Sequence, residues 1–469
     1  MESASIQPSI TEKMRRESIP EASIAAFLAA VDQVRAGHLG VFREADLEPV
    51  RGLPRMTELP AKRADDASLL SQLGVIKLNG GLGTGMGLER AKSLMTVKDD
   101  NTFLDLIARQ ILALRGQTGT QSPAFLLLNS FVTREDSLHH LKAYPALIGD
   151  GPLDLLQSKV PKLDEKTLLP IEWPADPDME WCPPGHGDIY PTLHAGDWVE
   201  RFLQTGIRYL FVSNADNLGA TVDLGIARYF AESGVGFLME VAERTDMDRK
   251  GGHLALRRAD GRLVLRESAQ THRDDVPFFQ DIGRHGYFNT NNLWIALEPL
   301  HDLLQQRQGF LPLPLIRNLK TVDPRDASSP RVLQLESAMG AAIECFERSA
   351  ALVVPRERFL PVKSTADLLL LRSDLYRLTQ DARLERAQPG SESLPVVNLD
   401  PVHYRVMSSF EAAFSQGAPS LAQCHRLNVV GPWAFEAGVR LRGEVSFVNT
   451  GGEVVRVRAG VYENVTVRA

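Results

Sequence analysis

Cysteine is scarce in this chain of 469 residues. The three cysteines, Cys182, Cys345 and Cys424, lie far apart in the sequence. An odd and scattered set disfavours a disulfide framework and a cysteine metal site. This usage is typical of a reducing compartment, and the N-terminus lacks the charged-then-apolar pattern of a secretory signal. We therefore expect a cytoplasmic protein.

Long apolar runs and an excess of positive charge are also absent. No apolar run approaches the roughly 18 residues that span a bilayer, so no membrane association is expected. The chain has 52 lysines and arginines against 59 aspartates and glutamates, so the net charge is 52 − 59 = −7. That balance disfavours bulk nucleic-acid binding, and any phosphate site must be local. The sequence shows no Ser–His–Asp or paired-carboxylate pattern, which disfavours a hydrolase.

The order of apolar segments indicates an α/β protein in three parts. An amphipathic helix is predicted over residues 22–36. From Val75 onward, strand-like apolar runs alternate with helical periods, which predicts a mostly parallel sheet covered by helices on both faces. We expect a helical lead-in at residues 1–60, an α/β domain at residues 61–398 and a third domain at residues 399–469.

The C-terminal segment has a hydrophobic period of six residues. Two ladders offset by two positions carry it: Leu427, Trp433, Val439, Val445 and Val457, and Val429, Phe435, Leu441, Phe447, Ala459 and Val465. Gly451 and Glu453 interrupt the two ladders, and Glu463 interrupts the first again. A six-residue period is typical of parallel β-helix coils, although ordinary hairpin strands also generate such matches.

A glycine-rich stretch follows the first strand of the main domain. Residues 77–87 read K-L-N-G-G-L-G-T-G-M-G, and Lys92 lies just beyond them. Backbone without Cβ atoms can approach a phosphate or a flat base closely. A Walker loop is excluded because Ala91, not glycine, precedes Lys92, and no register fits the dinucleotide fingerprint G-x-G-x-x-G. The stretch predicts a phosphate loop of another kind, or else a surface loop.

Four further stretches carry candidate ligand-binding groups. Residues 213–217, S-N-A-D-N, follow an apolar strand, where Asp216 is either a Mg²⁺ ligand or a turn residue. Residues 183–188, P-P-G-H-G-D, form a stiff turn with one histidine, and residues 288–294, F-N-T-N-N-L-W, place amides beside a strand. Lys363 precedes a leucine-rich helical segment and is either functional or simply exposed.

Taken together, these stretches resemble the eukaryotic-type UTP–glucose-1-phosphate uridylyltransferase family, also called UDP-glucose pyrophosphorylases. Matching words occur in the family's order between residue 77 and about residue 374. They are K-L-N-G-G-L-G-T-x-M-G, K-S-L, N-T-F-L-D-L, P-P-G-H-G-D-I-Y, V-S-N-x-D-N-L-G-A-T-V-D, K-G-G, F-N-T-N-N-L-W-I, Q-L-E-S-A-M-G-A-A-I and R-F-L-P-V-K-S-T. The resemblance implies a doubly wound, nucleotidyltransferase-like α/β domain followed by a left-handed parallel β-helix.

The resemblance also implies an activity, namely reversible, Mg²⁺-dependent formation of UDP-glucose and pyrophosphate from UTP and glucose 1-phosphate. It assigns Lys92 to the reacting phosphates, Lys363 to the pyrophosphate end of UTP, and Asp216 to the Mg²⁺. The other implied substrate contacts, made to the nucleotide or the sugar phosphate, are Leu78, Asn79, Gly80, Gly81, Gln157, Gly185, His186, Asn214 and Asn289. A homo-oligomer formed through the C-terminal β-helix is a further expectation.

Two departures and two alternatives accompany this interpretation. Ala91 stands where the family usually has proline, and Cys182 where it usually has an aromatic residue, so loop rigidity and affinity are in question.

A UDP-sugar or UDP-N-acetylglucosamine pyrophosphorylase is the nearest alternative, but the latter type carries arginine after G-T, where Gly85 stands here. A non-catalytic nucleotide-binding assembly protein is the alternative from another class.

Overall fold

The computed structural model describes residues 6–38, 40–61, 63, 66–148, 153–388 and 394–469. Parts of the predicted domains, such as residues 1–5 of the lead-in, lie outside these ranges. Within them, the α-helices are α1 (Ile6–Arg16), α2 (Glu21–Arg35), α3 (Phe103–Thr118), α4 (Arg134–Leu141), α5 (Pro145–Ile148), α6 (Ile189–Ala195), α7 (Trp198–Gln204), α8 (Leu224–Ser233), α9 (Val276–Phe279), α10 (Leu297–Gln306), α11 (Thr365–Arg372), α12 (Pro401–Tyr404) and α13 (Met407–Ala413).

The strands of the same ranges form several sheets. They are β1 (Leu47–Pro49), β2 (Leu73–Asn79), β3 (Thr96–Lys98), β4 (Asn101–Thr102), β5 (Ala124–Asn129), β6 (Asp154–Leu156), β7 (Val160–Pro161), β8 (Leu163–Asp164), β9 (Trp181–Cys182), β10 (Tyr209–Asn214), β11 (Phe237–Glu243), β12 (His253–Arg257), β13 (Leu263–Arg266), β14 (Tyr287–Ala296), β15 (Leu315–Thr321), β16 (Arg331–Ser337), β17 (Ser349–Val353), β18 (Tyr376–Leu378), β19 (Leu384–Arg386), β20 (Val396–Leu399), β21 (Ser420–Val430), β22 (Trp433–Phe435), β23 (Val439–Val448), β24 (Val455–Val457) and β25 (Gly460–Arg468).

A mixed sheet forms the centre of the molecule. Its main path runs β1-β12-β14-β10-β2-β5-β6, with β11, β13 and β17 attached beside it. Strands β10, β2, β5 and β6 are parallel, as the alternation of strands and helices predicts. Strand β14 runs antiparallel to both β10 and β11, so the sheet is mixed rather than mostly parallel. The α/β prediction is thus confirmed in its coarser form.

Both faces of the central sheet are buried, because successive side chains of a strand point to opposite faces. Val75 on β2 packs in one core cluster with Phe103 of α3, whereas Ile76 packs in another with Ile189 of α6. Helix α3 begins with a capping box between Thr102 and Asp105, which satisfies backbone donors at its first turn. The sheet is therefore a layer between helices, and its strand ends are available for a site.

The predicted N-terminal amphipathic helix is confirmed as α2. Ile24, Phe27 and Val31 recur at helical spacing and are buried. They pack in a core cluster with Trp181 of β9 and Leu333 of β16. The lead-in is therefore packed against the main body. No α-helix among the described residues combines the length and the apolar character needed to cross a lipid bilayer.

The six-residue ladder corresponds to parallel strand pairing at the C-terminus. Strands β20, β21, β23 and β25 form one parallel sheet, and β22 pairs in parallel with β24. Leu427 pairs with Val445. The two residues are 445 − 427 = 18 positions apart, which is three six-residue steps. Leu427 and Val445 are fully buried, whereas Val465 on β25, the edge strand of this sheet, is 37% exposed.

Candidate active site

The candidate site lies where three parallel strands end together. Strands β5, β2 and β10 are neighbours, and their last residues are Asn129, Asn79 and Asn214. The Asn79 amide donates to Asn129 Oδ1 at 2.7 Å and to Ser137 Oγ at 2.8 Å. These bonds fix the backbone where the glycine-rich stretch begins. Carboxyl ends of strands in open α/β sheets are the usual ligand-binding edge.

An open cleft of about 330 Å³ occupies this edge. Ten of the twelve predicted site residues line it, together with Ser93, Leu128, Pro183 and Ala215. The ten are Leu78, Asn79, Gly80, Gly81, Lys92, Gln157, Gly185, His186, Asn214 and Asp216. Three separate motifs of the sequence therefore meet around one space that is large enough for a nucleotide-sized ligand.

The glycine-rich stretch and the P-P-G-H-G turn face each other across Gln157. The Gln157 amide donates to the Gly185 carbonyl at 2.8 Å. A Cβ placed on Gly80 would lie 3.0 Å from Gln157 Oε1, so a side chain there would crowd the amide. Ser130 Oγ donates to the Gly80 carbonyl at 2.9 Å and holds the turn from below. The missing side chain at Gly80 is thus needed for close packing beside the cleft.

Lys92 and Asp216 form an ion pair inside the cleft. The Lys92 ammonium donates to Asp216 Oδ2, and the two side chains are 16% and 24% exposed. The Lys92 backbone N–H also donates to the Gly81 carbonyl at 3.0 Å, which ties the lysine to the glycine-rich stretch. Gly83, with φ of +69°, leaves room for the lysine stem, because a Cβ there would lie 3.2 Å from Lys92 Cγ. A cation and an anion are therefore held side by side next to the glycine-rich stretch.

His186 is fixed as a neutral imidazole. Its Nδ1 accepts from the Met339 backbone N–H at 2.9 Å, which places the ring proton on Nε2. Burial lowers the pKa of His186 to about 4. Gly185, with φ of +82°, lets the turn approach β16, since a Cβ would lie 2.4 Å from the Ser337 carbonyl oxygen. His186 can therefore donate a hydrogen bond from Nε2 without carrying charge near neutral pH.

The remaining two predicted residues, Asn289 and Lys363, lie outside the cleft lining. Asn289 donates its amide to Asn291 Oδ1 at 2.8 Å, and its backbone N–H to the Gly252 carbonyl at 3.2 Å. A Cβ on Gly252 would lie 2.4 Å from Glu267 Oε2, so that carboxyl group lies against the same backbone. Burial raises the pKa of Glu267, and the Lys363 ammonium opposes that rise. Asn289, Glu267 and Lys363 thus belong to one neighbourhood.

This neighbourhood adjoins the cleft through the backbone. The Val362 N–H donates to the Asp216 carbonyl at 3.3 Å, and Pro361 forms a β-bridge with Asn217. Lys363 therefore follows directly on a segment that contacts the Asp216 loop. The structure brings the predicted residues to one edge of the sheet, ten of them around one cleft and two beside it.

Several polar residues that support this edge are not among the sequence predictions. They are Lys77, Asn129, Ser130, Asn217, Glu240, Glu267 and Arg358. Lys77 and Asn217 lie inside motifs that the sequence analysis identified, so their positions in the sequence could have indicated that they belong to the site. Glu240 and Arg358 come from distant parts of the chain and meet only in the fold.

Proteins of known family resemble this chain over most of its length. The profile of the family described as UTP–glucose-1-phosphate uridylyltransferase matches residues 40–442. The yeast Saccharomyces cerevisiae protein of that name is 39% identical over 414 residues, covering 87% of this chain and 81% of the yeast protein. The protein of that name from Solanum tuberosum is 38% identical over 411 residues, covering 87% and 83%.

Solved structures agree with this comparison. A mutant UDP-glucose pyrophosphorylase from Leishmania major, solved in complex with UDP-glucose, superposes with a TM-score of 0.93 at 44% identity. The match covers 99% of each chain. The Trypanosoma brucei structure described as UDP-glucose phosphorylase gives a TM-score of 0.90 at 44% identity, covering 99% of this chain and 100% of the other.

Proposed function

The chain belongs to the UTP–glucose-1-phosphate uridylyltransferase family, and on that premise we propose how its cleft performs the family's reaction. The enzyme transfers the uridylyl group of UTP to glucose 1-phosphate and yields UDP-glucose and pyrophosphate. A phosphate oxygen of glucose 1-phosphate attacks the α-phosphorus of UTP, and the bond from that phosphorus to the pyrophosphate oxygen breaks. The attacking oxygen is already ionised at neutral pH, so no general base is required.

We assign the nucleotide to the cleft at the carboxyl ends of β5, β2 and β10. The backbone of residues 78–81 and the side chain of Gln157 receive the uracil end. Gly185 and His186 lie at the base and the sugar phosphate, and Asn214 contacts the nucleotide. The observation that carries this assignment is the meeting of these separate motifs around a single cleft of about 330 Å³.

Charge stabilisation supplies most of the proposed catalysis. Two polyanions must come together, and negative charge must be stabilised on the α-phosphate and on the leaving pyrophosphate. Lys92 contacts the reacting phosphates, and Lys363 contacts the pyrophosphate end. Lys92 and Asp216 form an ion pair with each other in the cleft. Asn289 contacts the glucose.

We propose Mg²⁺ as the cofactor, held by Asp216. Among the described residues lining the cleft, Asp216 has the one carboxylate, and it is partly exposed. This fits Mg²⁺, which takes one or two carboxylates and completes its shell with substrate phosphates and water. When bound, the ion supplies positive charge to the phosphate oxygens.

Three proposals concern the rest of the chain. We infer that the C-terminal parallel strands form a left-handed β-helix. The proposed domain limits are residues 1–60, 61–398 and 399–469, except that β20 (Val396–Leu399) is counted in the third domain because it pairs with β21. A homo-oligomer through this part is supported by β25, an edge strand on which Val461 is 51% exposed. A cytoplasmic location is supported by the free thiols of Cys182, Cys345 and Cys424.

The proposed function is tested by measuring pyrophosphate release from UTP and Mg²⁺ with a panel of sugar 1-phosphates. We expect release with glucose 1-phosphate and little with N-acetylglucosamine 1-phosphate. Equal rates with several sugar 1-phosphates would instead support a broad UDP-sugar pyrophosphorylase. Nucleotide binding without any pyrophosphate release would support a non-catalytic assembly protein.

A further inference from the structure

Asn217 follows Asp216 directly, and its side chain is 2% exposed. Each polar atom of its carboxamide has two hydrogen-bond partners. Oδ1 accepts from the backbone N–H of Leu360 at 2.8 Å and of Gly219 at 3.2 Å. Nδ2 donates to the Arg358 carbonyl at 3.1 Å and to Asn292 Oδ1 at 3.2 Å. One amide therefore joins three segments of the chain.

The three segments carry Asp216, Lys363 and Asn289 of the proposed site. The first is the loop after β10 that holds Asp216. The second is the segment of residues 358–362, which leads into Lys363 and contacts the Asp216 carbonyl through Val362. The third is β14, which contains Asn289 and Asn292. A Cβ on Gly219 would lie 3.0 Å from the Arg358 carbonyl oxygen, so the first two segments are in close contact.

A buried ion pair fixes the orientation of this amide. The Arg358 guanidinium donates to both carboxylate oxygens of Glu240, each at 2.7 Å, and Glu240 is fully buried. Asn292 donates its amide to Glu240 Oε2 at 3.0 Å and to the Arg358 carbonyl at 3.2 Å, so its Oδ1 faces Asn217. A polar network whose members are satisfied in this way holds one arrangement. Asn217 cannot turn without leaving buried polar groups unpaired.

Lys77 anchors the same loop at its two ends. Its buried ammonium donates to Ser213 Oγ at 2.8 Å and to the Ala220 carbonyl at 2.6 Å. The ends of the loop are thus fixed to β2, and its middle is fixed by Asn217 to the segment that precedes Lys363. This middle contact acts together with the backbone hydrogen bond from Val362 to Asp216 to set the relative position of Asp216 and Lys363.

We propose that Asn217 is a positioning residue that sets the separation between the Asp216 carboxylate and the Lys363 ammonium. The inference rests on the proposed function, in which one group acts at the reacting phosphate and the other at the leaving pyrophosphate. Misplacement of reacting groups by about 1 Å can cost about 10²-fold in rate. Because Asn217 does not line the cleft, its loss affects turnover far more than nucleotide binding.

The experiment compares Asn217→Ala and Asn217→Ser with the wild type. In Asn217→Ser the hydroxyl can still accept from the Gly219 N–H within the loop, but it is too short to restore the contacts to residues 358–360. The matched control is Asn449→Ala, which removes another buried amide that donates to Pro432 and Glu453 carbonyls in the C-terminal part. It controls for loss of stability without a change at the cleft.

For both Asn217 variants we expect kcat to fall by about 10- to 100-fold, while the KM for UTP and its calorimetric Kd change by less than about threefold. Pyrophosphorolysis of UDP-glucose should slow by a similar factor, because both directions pass through the same transition state. Asn449→Ala should lose stability and keep its kcat. Thermal unfolding shows which variants are folded. If Asn217→Ala does not fold, the kinetic comparison is made with Asn217→Ser.

A folded Asn217→Ser enzyme with wild-type kcat would overturn the positioning role. So would a loss confined to KM, or a loss of kcat of equal size in Asn449→Ala. Failure of the wild type to form UDP-glucose would instead contradict the proposed function, so the two failures can be told apart.

Discussion

The substitution Lys92→Met separates the electrostatic role of Lys92 from its structural role. Methionine keeps an unbranched stem beside Gly83, where a Cβ would lie 3.2 Å from Lys92 Cγ, and removes the ammonium group. The exposed Lys142 provides the matched control, Lys142→Met, with the same chemical change away from the cleft. A comparison of the two variants therefore isolates the effect of the positive charge beside the glycine-rich stretch.

The expected effects on stability and on activity differ in size. The Lys92–Asp216 pair has side chains that are 16% and 24% exposed. The pair is partly buried but faces the open cleft, where water can solvate Asp216 after the ammonium is removed, so we expect a loss of about 1 kcal/mol in the free energy of unfolding. Loss of one preorganised electrostatic contact with a transition state lowers rate by about 10²- to 10³-fold, or about 2.7–4 kcal/mol. Activity should therefore fall much more than stability.

The assay is pyrophosphate release at varied UTP and glucose 1-phosphate, paired with urea unfolding of the same samples. We expect kcat/KM of Lys92→Met to fall by about 10²- to 10³-fold with a nearly unchanged unfolding midpoint. Lys142→Met should match the wild type in both. Near wild-type turnover in Lys92→Met, or an activity loss explained by unfolding, would refute the electrostatic role.

Three further perturbations follow from the same site. Asp216→Ala should abolish Mg²⁺-stimulated activity while the fold is retained, and unchanged dependence of rate on Mg²⁺ concentration would contradict the metal assignment. Burial lowers the pKa of Lys77 from 10.5 to about 7. Between pH 7 and pH 10.5 the unfolded chain therefore binds more protons than the folded protein, and the free energy of unfolding rises with pH. Urea unfolding should show that this rise, up to about 1.4 kcal/mol per pH unit, is lost in Lys77→Met. If the unfolding free energies of the wild type and Lys77→Met changed in parallel with pH, the low pKa of Lys77 would be refuted. Gly185→Ala should lower the melting temperature and the affinity for UTP more than Gly206→Ala. Both glycines have positive φ, but only at Gly185 would a Cβ meet another atom, the Ser337 carbonyl oxygen at 2.4 Å. Equal losses in the two variants would show that this contact is unimportant.

The parts of the fold that follow from local sequence were predictable. The apolar spacing of Ile24, Phe27 and Val31 defines one face of a helix, and α2 is found within one residue of the predicted limits. The six-residue ladder likewise predicts parallel pairing, and Leu427 lies opposite Val445. In both cases a short-range pattern determines which side chains are buried.

The direction of β14 was not predictable from its residues. Its apolar side chains, such as Leu293 and Trp294, would be buried equally well in a parallel or an antiparallel strand. The direction depends on how the chain crosses the sheet, which no local pattern records. The sheet is therefore mixed where the sequence predicted a mostly parallel arrangement.

Some residues of the candidate site were likewise predictable from the sequence, and others were not. The glycine-rich stretch and residues 213–217 are continuous motifs, and their chemistry is recognisable before folding. Glu240 and Arg358 are 118 positions apart and become informative only when their side chains meet. Asn217 illustrates both cases, since it stands in a motif but acquires its contacts with Leu360 and Asn292 only in the folded chain.

We expect UTP to bind in the cleft at the ends of β5, β2 and β10. The most direct test is a structure determined with UTP and Mg²⁺, supported by calorimetry with the same nucleotide. We expect the uracil against residues 78–81 and Gln157, the phosphates at Lys92 and Lys363, and the ion on Asp216. Nucleotide bound at another surface, or no binding by calorimetry, would contradict this expectation.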